Sequence, residues 1–153
     1  MNIHSKSKWP ANFLSNFASH SFIIDGVECS SMEGFLQSLK EKDPAIQIEI
    51  YKLTGIEAKR RGEAYNETWK REQKLWWQGK KFVRYGDEYQ KLLDRAFEKL
   101  AKNEDFQKAL LATEGKWLTH SIGKKDKKDT VLTIEEFCCS RLVKIRKKLL
   151  TEH

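Results

Sequence analysis

A helix-rich α+β domain with a small β element is the fold class the sequence predicts, on three observations. Apolar residues recur at helical spacing in two stretches, Met32, Phe35, Leu36 and Leu39, and then Tyr89, Leu92, Leu93, Ala96, Phe97 and Leu100. Between two short apolar runs stands Asp25-Gly26, a dipeptide that readily takes the positive φ angles of a tight hairpin turn. Thr133 and Glu136 have capping-box spacing ahead of a last apolar-periodic segment. At 153 residues and 39% hydrophobic content the chain can bury one core, so a single domain over residues 1–153 is expected.

Taken in order, "SFIIDGVEC" (21–29) reads as two short strands around the Asp25-Gly26 turn. The helix over 32–39 follows. "PAIQIEIYKL" (44–53) predicts a short helix with Pro44 in its first turn, and Thr54-Gly55 separates it from another beginning near Ile56. From Asn66 to Gln90 the chain is rich in aromatics, and Gly79 and Gly86 predict an irregular loop between helical parts. The strongest helical stripe then runs to Leu100, with a break at Asn103 before Phe106, Ala109 and Leu110. "KWLTHSIG" is read as a short strand. A C-terminal helix buries Cys138, Leu142, Ile145 and Leu149 and ends in basic residues that complement its dipole.

The charge balance, 29 Lys and Arg against 22 Asp and Glu, gives +7 and favours anionic partners. The positive charge is concentrated in "AKRRGE" (58–63), "GKKDKKD" (123–129) and "KIRKK" (144–148), clusters that either contact phosphate or form solvated faces. Cys29 stands alone while Cys138 and Cys139 are adjacent, so reduced thiols are expected. The four histidines form no ligand spacing, and no metal site or cofactor is expected. With no long apolar run and no signal-peptide centre, a cytoplasmic protein without a membrane partner is expected. GxSxG, P-loop, GxGxxG and HExxH signatures are all absent, which lowers the support for Ser/Cys hydrolase, kinase, dehydrogenase and zincin readings.

Glu33 has two readings. Ser30 and Glu33 form S-x-x-E, in which the serine caps an amide and the glutamate reaches back to the serine amide. Yet Glu33, Gln37 and Lys40 lie at i, i+4 and i+7, stacking an acceptor, an amide and a cation beside the apolar face, as a polar pocket would require. The aromatic and basic residues from Trp69 to Tyr85 are likewise suited to stacking a base and holding phosphates, or to the core.

The segment "NFLSNFASHSFIIDGVECSSMEGFLQSLK" resembles the opening of the NADAR (NAD- and ADP-ribose-associated, YbiA-like) family: an S-N-F motif at Ser15, Asn16 and Phe17, the Phe22 and Asp25-Gly26 hairpin, then S-x-E and a glutamine at Ser31, Glu33 and Gln37, followed by Lys40. "EAKRRG" and "DFQKALLATEGKWLTHS" are similar to its later landmarks, so the resemblance spans almost the whole chain. It implies a YbiA-like fold and an N-glycosidase that cleaves between ribose C1′ and a base or amine nitrogen. The implied substrates are guanine-linked ADP-ribose in nucleic acid or a ribosyl phosphate of the riboflavin pathway.

By the same resemblance Glu33 matches the family's catalytic glutamate, and a second carboxylate falls at Asp126, with Asp129 as the other candidate. Ser15, Asn16, Phe17, Gln37 and Lys40 are the matched pocket residues. Lys59, Arg60 and Arg61 are candidates for the substrate phosphates, and Tyr85, Trp77 and Trp76 for stacking on the base. The chain departs from the family pattern at Gly34, where histidine is frequent, at Thr113-Glu114-Gly115, and in the segment "THSIGKKDKKDTVLT". The alternative functions are a non-catalytic module that binds ADP-ribose or a nucleotide, and a generic basic nucleic-acid binder.

Overall fold

The N-terminal hairpin forms because Asp25 and Gly26 both take positive φ, 48° and 82°, the two-residue turn whose twist matches its strands. Strands β1 (Phe22–Ile24) and β2 (Val27–Cys29) pair antiparallel with Phe22 opposite Cys29, and Phe22, Ile24 and Cys29 point into the core. In this computed structural model, which describes residues 1–152, a short helix α1 (Ala11–Leu14) precedes the hairpin. Helix α2 (Met32–Ser38) follows it, with Met32, Phe35, Leu36 and the adjoining Leu39 all buried.

Helices α3 (Pro44–Tyr51), α4 (Gly55–Glu63) and α5 (Asn66–Glu72) come next, and α2 packs on both α3 and α4. Pro44 begins α3 where its missing amide costs nothing, and Asp43 caps that helix by accepting from Ala45 N. The approach of α2 to the end of α3 is close at Gly34: a Cβ there would stand 2.5 Å from the Leu53 carbonyl oxygen. Glycine is therefore dictated by helix spacing at this position.

The irregular loop expected between Trp69 and Tyr85 is a second hairpin instead. Strands β3 (Lys74–Trp77) and β4 (Lys80–Val83) pair antiparallel around Gln78-Gly79, both at positive φ. Leu75, Trp77 and Phe82 face the core while Lys74, Trp76, Lys81 and Val83 lie on the other face, the alternation of a half-buried sheet; Lys80, at the strand's start on the Phe82 side, is exposed. Glutamine in place of the usual Asn or Asp at the turn, and a bulky Trp76 on the outer face, concealed this period.

Helix α6 (Asp87–Leu100) buries the predicted stripe and packs on β1 and β4. Asn103 ends the gap and caps α7 (Glu104–Leu111) by accepting from the amides of Asp105 and Phe106. The strand expected at "KWLTHSIG" is reduced to a single bridge between Asn2 and Thr119, because its only partner is the short N-terminal segment.

Thr133 and Glu136 form the expected capping box at α8 (Ile134–Phe137), which continues through a π-helical turn over Cys138–Leu142 into α9 (Val143–Glu152). Cys138, Leu142 and Leu149 are buried and Ile145 packs partly against them. One hydrophobic cluster extends from Ile3 to Leu149. No helix among the described residues is long and apolar enough to cross a membrane.

Candidate active site

Helix α2 owes its start to Ser31, not Ser30. The Ser31 hydroxyl accepts from Gly34 N at 3.0 Å and donates to the Leu53 carbonyl at 3.0 Å. The expected capping box is thus replaced by a simple serine cap, one residue later. The Glu33 amide donates to the Asn16 carbonyl at 3.0 Å, so the S-N-F turn docks directly on the first turn of α2. That turn is itself closed by Phe17 N donating to Ser15 Oγ at 3.2 Å. With the cap assigned to Ser31, the Glu33 carboxylate is free of any duty at the helix start.

The carboxylate instead faces sideways to Gln37, whose Nε2 donates to Glu33 Oε1 at 2.8 Å. Burial raises the Glu33 pKa above the usual carboxylate value, against the opposing pull of the Gln37 bond, Lys40 and Lys59. Lys40 Nζ donates to Asn66 Oδ1 at 2.7 Å, and burial lowers its pKa to about 8, against the attraction of Glu33. The i, i+4, i+7 stripe is therefore a structural unit, made of a carboxylate whose pKa burial raises, an orienting amide and a lysine whose pKa burial lowers.

Gln37 is seated by an absence. Its Oε1 is buried without a hydrogen-bond partner, and a Cβ at Gly62 of α4 would overlap the Gln37 amide. Gly62→Ala should push Gln37 off Glu33 and lower turnover by about 10²-fold, the order expected when a reacting group is misplaced by an ångström. A steady-state assay beside a thermal melt checks this: a melting point near wild type with lost kcat is the expected pair of results.

These residues line a cavity of about 580 Å³. One wall is Ser15, Asn16 and Phe17 with Glu33, Gln37 and Lys40. Helices α4 and α5 add Lys59, Glu63, Asn66, Trp69 and Lys70, and the segment from His120 to Leu132 closes the rest together with Ser5 and Phe137. The cavity thus gathers residues separated by more than half the chain.

Of the residues singled out in the sequence, seven besides Glu33 share this cavity: Ser15, Asn16, Phe17, Gln37, Lys40, Lys59 and Asp129. Six do not line it: Arg60, Arg61, Trp76, Trp77, Tyr85 and Asp126. Asp126 is exposed ahead of the 3-10 turn Lys127–Asp129, and Asp129, half-buried at the turn's end, lines the cavity in its place. Trp77 is a core residue, 3% exposed, edge-on to Phe35 and Tyr51 and donating from Nε1 to Asp25 Oδ2 at 2.8 Å. Tyr85 is 63% exposed beside Lys127, away from the cavity wall. Arg61 turns to the Tyr65 hydroxyl, which in turn donates to Glu41.

Phe17, Trp69 and Phe137 are the aromatic side chains that line the cavity beside His120, and of the lining residues Trp69, Asn66 and His120 are not singled out as site residues by the sequence. Trp69 lay inside the stretch read for aromatics, yet only the α5 helix shows which way it faces. Among the described residues no group of three or more His, Cys, Asp or Glu is placed to hold a metal ion.

The family model of bacteriophage protein GP30.3 matches residues 8–147. The chain belongs to the GP30.3 family. This is a NADAR-type family, in agreement with the resemblance carried by the S-N-F, hairpin and S-x-E motifs. A GP30.3 relative, described as an uncharacterized 17.1 kDa protein in the Gp30-rIII intergenic region of Enterobacteria phage T4, is 40% identical over 139 residues, covering 90% of this chain and 91% of the relative. The NMR structure of the Escherichia coli protein YbiA superposes with a TM-score of 0.61 at 18% identity, over 99% of this chain and 85% of that one. The chain therefore has the YbiA fold, and its family is consistent with a hydrolase.

Proposed function

We propose that this GP30.3-family protein is an N-glycosidase that hydrolyses the bond between ribose C1′ and a base or amine nitrogen. The observation that carries the reading is the Glu33 carboxylate in the cavity, fixed through Oε1 by Gln37 and flanked by Lys40 and Lys59. Departure of a base builds positive charge on C1′, and an oriented carboxylate in a partly dehydrated site stabilises that charge and accepts a proton from the attacking water. Oε1 is held by Gln37, and Oε2 is the oxygen left for the water.

Lys40 and Lys59, with Lys70 and Lys124 also lining the cavity, suit a phosphorylated ribosyl substrate. Phe17, half-buried in the cavity wall, supplies an aromatic surface for a base, with Trp69, 3% exposed, packed in the core at the cavity's edge. Asp129 is the second carboxylate of the proposal, in the place first given to Asp126. Two substrate classes fit: ADP-ribose attached to guanine in nucleic acid, and a phosphorylated riboflavin-pathway intermediate. Neither requires a cofactor.

The test is incubation of the protein with a guanine-ADP-ribosylated oligonucleotide and, separately, with the ribosylaminopyrimidine phosphates, followed by mass spectrometry. Loss of the ribosyl group from one of them is the expected result and selects the substrate class. Tight binding of ADP-ribose without release of base from either would replace the enzyme by a non-catalytic binding module.

A further inference from the structure

The cavity holds one histidine, and its surroundings fix which nitrogen it offers. His120 Nδ1 stands 2.9 Å from the Ile3 carbonyl oxygen. A carbonyl only accepts, so Nδ1 carries a proton. The ring lies edge-on to Phe137 at 5.3 Å and 82°, and the Gly123 backbone approaches so closely that a Cβ there would stand 2.6 Å from His120 Cδ2. With the ring clamped on three sides, Nε2 is its remaining polar atom, and among the described residues it has no hydrogen-bond partner.

His20 provides a contrast within the same chain. It is buried between Phe13 and Phe106, binds the Phe13 carbonyl through Nε2, and is not part of the cavity wall. One histidine has the surroundings of a core residue. The other is oriented by a backbone carbonyl and opens on the cavity that contains Glu33, the arrangement by which a second group sets the tautomer of a histidine that transfers protons.

We propose that His120 is the general acid that protonates the departing base. The inference rests on the N-glycosidase reading and adds the residue that reading lacks. A nitrogen base leaves poorly as an anion, so stabilising C1′ with Glu33 accounts for half of the reaction. The acid is His120 with both ring nitrogens protonated: Nδ1–H stays on the Ile3 carbonyl, the C1′–N bond breaks with its electron pair going to the base, and the Nε2 proton of this imidazolium passes to that nitrogen, leaving a neutral ring with Nε2 bare. Water oxygen bonds to C1′ and gives its proton to Glu33. Exchange with solvent then returns the Glu33 proton and reprotonates His120, leaving a ribosyl hydroxyl and a neutral base.

Leaving-group dependence separates this role from a structural one. Wild type, Glu33→Gln, His120→Gln and His120→Asn are assayed on an N-linked ribosyl substrate and on 4-nitrophenyl ribosyl 5-phosphate, whose phenolate leaves without a proton. His120→Asn keeps an amide donor for the Ile3 carbonyl, so loss of that tie does not confuse the result.

Both His120 variants should lose about 10²-fold or more in kcat on the N-linked substrate and less than about 5-fold on the nitrophenyl compound. Glu33→Gln should lose activity on both. Equal losses on the two substrates, or no loss on either, overturn the His120 assignment while leaving the glycosidase intact. A wild type that releases no base from any N-linked substrate overturns the glycosidase reading and the assignment with it.

Discussion

Glu33→Gln should lower kcat on an N-linked ribosyl substrate by about 10²–10⁴-fold with little change in ligand affinity, the signature of an interaction made in the transition state. The substitution is nearly isosteric, and Gln37 Nε2 can still donate to the amide oxygen that replaces Glu33 Oε1. What it removes is the charge facing C1′ and the base for water. A melting curve matching wild type, together with unchanged binding of ribose 5-phosphate, would place the effect in chemistry. An equal loss in binding and no separate loss of kcat would remove Glu33 from the reaction. Because burial raises the Glu33 pKa, the acid side of the wild-type pH–rate profile should fall at a higher pH than an ordinary carboxylate would give.

Arg84→Met should be the most destabilising single change, at about 3–5 kcal/mol, since it leaves a buried carboxylate without its partner. Arg84 is fully buried, donates to both carboxylate oxygens of Glu136 at 3.0 and 2.5 Å, and reaches the Thr130 carbonyl at 2.8 Å through Nε. Glu136 also accepts from Gln90 and from the Thr133 amide that opens α8. Burial alone would raise the Glu136 pKa, but these donors, Arg84 first, hold it down to about 2.

The sign of the pH effect follows. The folded-state pKa lies below the unfolded value, so this stabilisation is complete above the ordinary carboxylate pKa and is lost as pH falls toward about 2. Thermal melts from pH 7 to pH 2 should therefore show a fall in wild-type melting temperature between about pH 5 and pH 2 that is blunted in Glu136→Gln. A double replacement, Arg84→Met with Glu136→Leu, should recover part of the stability lost by Arg84→Met alone. If the single variant melts within about 3 °C of wild type, the network is not the support described here.

The same network explains how the far wall of the cavity is held. Arg84 fixes the Thr130 carbonyl, and the Tyr89 hydroxyl donates to the Val131 carbonyl at 2.6 Å. Thr130 and Val131 both line the cavity, immediately after Asp129. Arg84, just after β4, and Tyr89 of α6 thereby govern a segment with little regular structure of its own.

Local chemistry made much of this legible in the sequence. Asp25-Gly26 specified its turn, the i, i+3, i+4 stripes of α2 and α6 specified their buried faces, and Thr133 with Glu136 announced α8. On the active-site side, the spacing of Glu33, Gln37 and Lys40 was enough to predict a polar stripe because one helix carries all three. The Ser30 cap failed for a local reason: two adjacent serines offer the same hydroxyl, and only docking of Ser31 on the Leu53 carbonyl decides between them.

What could not be read depended on contacts between distant segments. Nothing near residue 120 signals that the Ile3 carbonyl will orient His120, and nothing near Asp126 and Asp129 shows which one the 3-10 turn brings to the cavity. The second hairpin was hidden by its own composition. Its inward residues, Leu75, Trp77 and Phe82, are separated by a tryptophan and lysines whose positions become meaningful only once Gln78-Gly79 is recognised as a turn.

Gly34 sets a limit on how parts can be traded among relatives of this fold. A side chain at residue 34 and the carbonyl of Leu53 would occupy the same space, so the identity of residue 34 and the path of the chain after α3 constrain one another. Grafting a histidine there in isolation would drive α2 away from α3 and carry Glu33 with it, and the resulting inactivity would report a broken helix contact rather than the chemistry of histidine. A chimera that exchanges the α2 start together with residues 50–55 is the smallest transplant in which a difference in activity can be credited to the side chain itself.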